Sequence, residues 1–380
     1  MAPLAQNRLE ALIGGGGPAG AALGIHLARR GRAVELIEQS AGPHHKVCGE
    51  FLSREAIAYL QDLGLDLRAL NAAPIHGVRL VARRSIAACD LPFSALSLTR
   101  RALDEALLAL AAESGVRILR GCRVDSLAPS SAGWTAQLAN GHVCHAPAAF
   151  LATGKHDVGG HRRPPAAQNG LVAFKMYFRL AAAEHRALDG WVELYLFPGG
   201  YAGLQLTEEN QANLCLLVNR KTLRASNNHW PTLLAHLLRC SNALAKRLDA
   251  AQPLLDKPLA LSSIPYGLLR SHSEPGLWRL GDQAAVIPSF AGDGISIALH
   301  SARLAADLFI AGATSSALAG QLHSQLRGSV QLTTALSRLM IAMPALALAA
   351  RLWPPLLGLV ASHTRIPPAA WLRSTLAAQT

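Results

Sequence analysis

Cysteine is scarce and scattered: six residues, Cys48, Cys89, Cys122, Cys144, Cys215 and Cys240, are spread over 380 positions. No CxxC pair and no His/Cys spacing suited to zinc or an iron–sulfur cluster occurs, so no metal site is expected, and a reducing, cytoplasmic compartment is. Aromatic residues make up only 5%. That is too few to interleave with basic residues as a nucleic-acid surface requires, so no nucleic-acid partner is expected. Acidic residues number 24 against 36 basic ones, a formal charge of +12. The excess suits attraction to anionic nucleotides, acidic substrates or an anionic membrane surface. An uninterrupted apolar run of about 20 residues, the length needed to span a bilayer, is also missing. The most apolar region, about 331–372, is broken by Arg338, Pro344, Arg351 and Pro354-Pro355. It reads as short helices packed over the second domain, with peripheral contact with a membrane surface as the alternative. MAPLAQNRLE has no basic stretch followed by an apolar one, which argues against a signal peptide. What remains, 51% hydrophobic and 16% charged, is the composition of a globular chain of about two domains.

The chain is organised around residues 9–38, LEALIGGGGPAGAALGIHLARRGRAVELIE. Leu9–Ile13 reads as a strand, Gly14–Gly17 as a turn without side chains, Ala19–Arg30 as a helix and Ala33–Ile37 as a second strand ending at Glu38. Gly15-x-Gly17-x-x-Gly20 is a dinucleotide-binding fingerprint in its proper strand–loop–helix context. Gly15 permits the turn, Gly17 lets a pyrophosphate approach the backbone, and Gly20 lets the helix pack on the strand. The helix N-terminus offers free N–H groups to the phosphates, and Glu38 is placed to accept hydrogen bonds from a ribose. Gly14 stands where such strands keep an apolar residue, so a loosely packed strand end is expected. The fingerprint does not separate FAD from NAD.

Further along, Ser53 reads as the cap of a helix from about Arg54 to Leu63, which puts Lys46-Val47-Cys48-Gly49-Glu50 on the loop before it. Residues 77–98 read as extended segments of a small sheet. Thr99 caps a helix ending at Gly115, with Arg100, Leu103 and Asp104 in its first turn. VRILRG, WTAQL, HVCHA and AAFLATG read as one meander, with Asn140-Gly141 as a hairpin turn having positive φ at both residues. Its last strand stops at Ala152-Thr153-Gly154. After a Gly/Pro-rich linker, LVAFKMYFRL, GWVELYLFPGGYAGLQL and ANLCLLVNR alternate as strands of one antiparallel sheet. A second anchor, LWRLGDQAAVIPSFAGDGISIAL, reads as a strand ending at Gly281-Asp282, a loop with Pro288, Gly292 and Gly294, and a helix from about Ile295. An Asp at a strand end beside a helix N-terminus suits a polyol and an electron-rich ring or phosphate.

These pieces, in this order, resemble the glutathione-reductase-like superfamily of FAD enzymes. The branch is the one holding geranylgeranyl reductases, aromatic-hydroxylase-type monooxygenases and flavin-dependent halogenases. The resemblance spans residues 9 to about 310. It implies an α/β fold: a Rossmann-like, three-layer FAD-binding domain of parallel sheet plus β-meander, an inserted α+β substrate domain on an antiparallel sheet, and C-terminal helices. The expected division is 1–75, 96–165 and 270–310 for FAD, 76–95 and 166–269 for substrate, and 311–380 for the helical region. Gly15, Gly17 and Gly20, with Pro18 and Ala19, would hold the pyrophosphate, Glu38 and Gln39 the AMP ribose, and Arg100 the phosphates or ribityl chain. Asp282 beside Gly281 would bind ribityl hydroxyls, and the helix start at Gly292, Asp293, Gly294 and Ile295 would face the flavin ring. Lys46, Cys48, Val124, Thr153, Gly154 and Pro288 complete the implied cofactor set.

Within that branch, Lys46-x-Cys48-Gly49 resembles the motif by which geranylgeranyl reductases bring a cysteine near the flavin. Tyr195-x-Phe197-Pro198 partly matches the same group's YxWxFP stretch, with Leu196 or Phe197 in place of the tryptophan. The WxWxIP of halogenases is missing, and Ala152-Thr153-Gly154 stands where aromatic hydroxylases carry Asp-Gly. Cys48, beside Lys46, His44 and His45, is either a proton donor near flavin N5 or a small packing residue. Glu50 is either an acid/base group or a structural partner of Lys46. Tyr195, Phe197 and Tyr201 either line an apolar substrate pocket or belong to the sheet core. The expectation is an FAD-dependent oxidoreductase acting on a small hydrophobic, isoprenoid- or polyketide-like substrate, with C=C reduction favoured. A flavin-dependent monooxygenase and a non-enzymatic flavin-binding redox protein are the alternatives. A flavin-free NAD(P)-dependent dehydrogenase is a further rival. NAD(P)H or another reduced donor would supply electrons. The oligomeric state is not legible.

Overall fold

The computed structural model describes residues 9–82, 85–131, 133–342 and 355–371. Five short parallel strands form the central sheet, in the order Leu277–Arg279, Ala148–Leu151, Ala11–Gly14, Val34–Glu38, Arg117–Arg120. Four of the five are buried at every residue, as strands covered on both faces by helices must be. The helices Pro18–Ala28 and Gly294–Ile310 pack on each other, and Arg100–Glu113 packs against the first of them. Ser53 and Thr99 cap their helices as the sequence predicts, accepting from Ala56 N at 3.5 Å and Ala102 N at 3.2 Å. Gly14 is buried between Leu151 and Ile37, so the strand end is packed rather than loose.

The meander is shorter than the sequence reading makes it. Val124–Ser130, Gly133–Leu138 and Val143–Ala146 form the three-stranded antiparallel unit. Arg117–Arg120 and Ala148–Leu151 leave it for the parallel sheet, because alternation marks a strand but not the sheet it joins. In the turn, Gly141 has φ +85° and Asn140 is not in the positive region, so the connection is not the two-residue type expected.

Residues 77–98 do not make a small sheet of their own. Ala73–Ala82 and Ser85–Ser97 pair as a hairpin inside a nine-stranded sheet with Leu171–Arg179, Trp191–Phe197, Gly200–Leu206 and Ala212–Asn219. Trp191–Phe197 runs parallel to Ala73–Ala82, so the sheet is mixed rather than wholly antiparallel. The two-residue strand Phe51–Leu52 pairs with Ser85–Ser97, which brings the loop of Cys48 onto this sheet. Its outer face carries the helices Trp230–Cys240 and Asn242–Arg247; its inner face looks toward the glycine loop.

The first C-terminal helix is long, not short: Ser315–Ala342 runs 28 residues and packs on Gly294–Ile310. A second, Pro355–His363, lies against Ser85–Ser97. Pro344, Arg351 and Pro354 lie outside the described residues. Among the described residues no helix is long and apolar enough to cross a membrane.

Candidate active site

The glycine loop is fixed by what side chains would strike. Gly15 adopts φ +106°, and a Cβ there would lie 2.5 Å from Ala152 O; one on Gly20 would lie 1.9 Å from Gly15 O. At Gly17 a Cβ would meet only Arg100 Nη2, at 3.2 Å, so the backbone is open toward the cavity. Glu38, buried at its strand end, accepts from Gly16 N at 2.7 Å and Ser40 N at 2.9 Å. These bonds aim the carboxylate at the loop, where a ribose hydroxyl can reach its remaining lone pairs.

Arg100 stands over the same loop. Its Nε and Nη2 donate to Asp104 at 2.7 and 2.8 Å, and Lys46 Nζ reaches Asp104 at 2.9 Å. Burial alone would raise the Asp104 carboxyl, but the two cations outweigh it and hold it below the usual range. Two cations on one carboxylate leave a net positive charge at the helix start, in place for a pyrophosphate. Lys46 is therefore paired with Asp104 and not with Glu50.

Glu50 is fully buried, and its partner is Lys175, whose Nζ lies 2.5 Å from Oε1. Tyr177 Oη donates to the carboxylate at 2.8 Å, Asn213 Nδ2 at 3.0 Å and Arg100 N at 2.7 Å. Lys175, Tyr177 and Asn213 have no motif that announces them; a charged residue in a strand otherwise reading apolar was the available signal at Lys175. Cys48 is half-buried, and its Sγ accepts from Glu50 N at 3.4 Å. His45 is lowered to about 4 by burial and by the Lys175 charge, so at neutral pH it adds no positive charge beside Cys48.

The second anchor closes the cavity. Gly281 N donates to Ser301 Oγ at 2.9 Å, and Gln283 Nε2 ties down Gly154 O and His156 O, each at 2.9 Å. Asp282 lines the cavity beside the helix start at Gly292, Gly294 and Ile295. Asp293 does not line it: its carboxylate turns to Arg365, 2.5 Å away.

A single cavity of about 450 Å³ joins these parts. Gly15, Gly17, Pro18, Ala19, Glu38, Gln39, Lys46, Cys48, Glu50, Arg100, Val124, Thr153, Gly154, Gly281 and Asp282 all border it. Gly20 and Pro288 do not. Ala173, Cys215, Leu261, Ile264, Tyr266 and Val286 give the cavity an apolar chamber, which motif reading missed because they belong to no motif. Tyr195 and Phe197 are elsewhere: they point to the outer face of the large sheet, into the core beneath its helices. Tyr201 sits behind the chamber wall, its Oη 2.9 Å from Ser289 Oγ. Period-two alternation gives two faces without saying which is inward.

A glycine loop open at Gly17, an acid at the second strand end, a cation pair over the loop and a free helix start at Gly294 together fit an extended dinucleotide carrying a flavin. Residues 8–143 match the family model described as FAD binding domain. The chain is 24% identical to a menaquinone reductase of Mycolicibacterium smegmatis over 80% of its own length and 77% of that protein's. It is 27% identical to a menaquinone reductase of Mycobacterium tuberculosis over 79% and 76%. Among solved structures, a flavin-dependent brominase superposes with TM-score 0.79 at 17% identity, covering 98% of both chains. A probable FAD-dependent monooxygenase from Pseudomonas aeruginosa gives 0.69 at 17%, over 88% of this chain and 96% of that one. A halogenase in complex with phloroglucinol and FAD gives 0.70 at 16%, over 88% and 77%. The structural likenesses speak for the fold, and the family match resolves the choice between FAD and NAD. Residues 8–143 carry an FAD binding domain, and the chain is an FAD-dependent oxidoreductase.

Proposed function

We propose that this enzyme reduces a C=C bond in a hydrophobic, isoprenoid-bearing substrate such as a prenylated quinone. The observation that carries the reading is the single cavity that runs from the glycine loop past Cys48 into an apolar chamber. The menaquinone reductases, similar over about four fifths of the chain, support the substrate class. FAD, when bound, supplies the redox chemistry at that junction. The chain's own residues do the rest. Gly15, Gly17, Glu38 and Arg100 bind the nucleotide half, Gly20 lets the helix pack behind the loop, and Asp282 faces the polyol. Ala173, Cys215, Leu261 and Tyr266 exclude water and accept an apolar chain. Cys48, which borders the same cavity, would hold on its Sγ the proton that a reduced double bond requires.

Peripheral membrane contact and a cytoplasmic site belong to the same reading. Leu332, Leu339 and Leu359 on the C-terminal helices are exposed apolar side chains, and a prenyl lipid is met at a membrane surface. NAD(P)H or another reduced donor would supply electrons.

The test is a single turnover without oxygen: FAD-loaded protein, reduced chemically, is mixed with a menaquinone or a geranylgeranyl lipid. The expected result is loss of flavin reduction together with a product heavier by two hydrogens, and Cys48→Ser slower than the parent. A product that gains oxygen, formed only in air, would establish the hydroxylase alternative instead.

A further inference from the structure

The backbone carbonyls of the cysteine loop are all held. Each carbonyl from residue 46 to residue 50 has a donor: Lys175 Nζ on Lys46 O at 3.2 Å, Lys155 Nζ on Val47 O at 3.4 Å, and Asn213 Nδ2 on Cys48 O and Gly49 O at 3.2 and 3.1 Å. Leu98 N completes the set on Glu50 O at 3.1 Å. Of these, Lys175 and Asn213 stand on the large sheet, on the paired strands Leu171–Arg179 and Ala212–Asn219. Lys175 is directly opposite Cys215, and Tyr177 is opposite Asn213. Side chains alternate along a strand, so Ala173, Lys175 and Tyr177 share one face with Asn213 and Cys215. That face does two things at once. Ala173 and Cys215 border the apolar chamber, while Lys175, Tyr177 and Asn213 reach the Cys48 loop.

We propose that Lys175 is the positioning residue for Cys48: through its buried pair with Glu50 and its bond to Lys46 O, it sets the loop against the flavin site from the floor of the substrate chamber. The proposal rests on the reductase reading above and deepens it, since it makes the substrate sheet the element that places the thiol. The charge on Lys175 is what matters. A lysine wholly removed from water is tolerated because Glu50 neutralises it, and neither group reaches solvent to find another partner. The nucleotide half rests on Gly15, Gly17, Glu38 and the Arg100 side chain, which pairs with Asp104; only the backbone N–H of Arg100 also meets Glu50.

The experiment uses the full chain loaded with FAD and measures iodoacetamide labelling of each cysteine by mass spectrometry, with the visible flavin spectrum recorded alongside. In Lys175→Met, Cys48 should label at least about tenfold faster, as when a held segment opens locally. Cys122, buried in a different cluster, should be unchanged, and the spectrum of the bound flavin should shift. If the single variant unfolds, seen as fast labelling of Cys122, the double variant Glu50→Gln/Lys175→Met decides, because it leaves no uncompensated buried charge. Faster Cys48 labelling and a shifted spectrum in a folded variant support the proposal. Labelling within about twofold of the parent and an unmoved spectrum overturn it. The substrate reading fails separately, by absence of double-bond reduction in the parent protein.

Discussion

Arg365 Nη1 lies 2.5 Å from Asp293 Oδ1, with the two side chains 4% and 1% exposed. The guanidinium also sits 4.3 Å over the ring of Phe93. One buried ion pair thus ties the C-terminal segment to the loop that opens the helix Gly294–Ile310, whose start borders the cavity. Removing one partner of such a pair strands the other charge. Arg365→Leu should lower stability by about 3 kcal/mol, read from the urea midpoint of the full chain, and should weaken FAD retention. A midpoint unchanged from the parent would mean that the C-terminal segment does not brace the loop.

Two glycines of one fingerprint should fail differently. Gly20→Ala drives a Cβ into Gly15 O, a backbone atom that cannot turn aside, so the helix must move off the strand and the fold should be lost or severely destabilised. Gly17→Ala meets only the end of Arg100, a flexible side chain. That variant should fold with the parent's circular dichroism and bind FAD about tenfold or more weakly, the order of effect of losing one to two kcal/mol of phosphate contact. Flavin-fluorescence titration separates the two.

Acid should weaken the fold through His26. Burial, with the charges of Arg303, Arg30 and Arg29, lowers this imidazole from 6.5 to about 3. An unfolded chain takes up the proton near 6.5, whereas the folded one resists until about 3. The folded state therefore binds fewer protons between those values, and its stability, complete above 6.5, falls as the pH drops through the window. The slope from this group is about 1.4 kcal/mol per pH unit at most. His26→Gln should flatten the measured dependence of unfolding free energy on pH between 6.5 and 4; an unchanged slope would place the acid sensitivity elsewhere.

The chamber's width is set by small side chains. Ala173→Leu adds three carbons to its floor, with FAD contacts untouched. Prenyl-lipid turnover should fall by about tenfold or more, by analogy with overpacked apolar sites, while the FAD dissociation constant stays within about twofold of the parent. Parallel loss of both would mean that the chamber and the cofactor site are not separable.

Much of the nucleotide half is readable in the chain. Gly15-x-Gly17-x-x-Gly20, the capping Ser53 and Thr99, Glu38 and Gly281-Asp282 are local features: a turn without side chains, a cap three residues from its amide, an acid at a strand end. Short-range geometry dictates each, so spacing reports it. Apart from the Asn140-Gly141 turn, where Asn140 keeps a negative φ, the main failures are non-local. Alternation made strands of VRILR and AAFL but assigned them to the meander instead of the parallel sheet, and made a strand of Trp191–Phe197 without its parallel neighbour. It left Tyr195 and Phe197 open between pocket lining and sheet core, and they belong to the core beneath the sheet's helices.

The pairing of charges shows the same division. The residues 46–50 advertise Lys46 and Glu50 as neighbours, yet Lys46 goes to Asp104, 58 positions away, and Glu50 to Lys175. Burial decides this. A charge excluded from water must take whichever opposite charge the packed core brings to it, and sequence distance has no say in that. Dinucleotide binding follows from a motif within thirty residues. The apolar chamber, the grip on Cys48 and the Arg365–Asp293 tie exist only once distant strands and the C-terminal segment have closed around the same cavity, because each is a contact between segments that share no local rule.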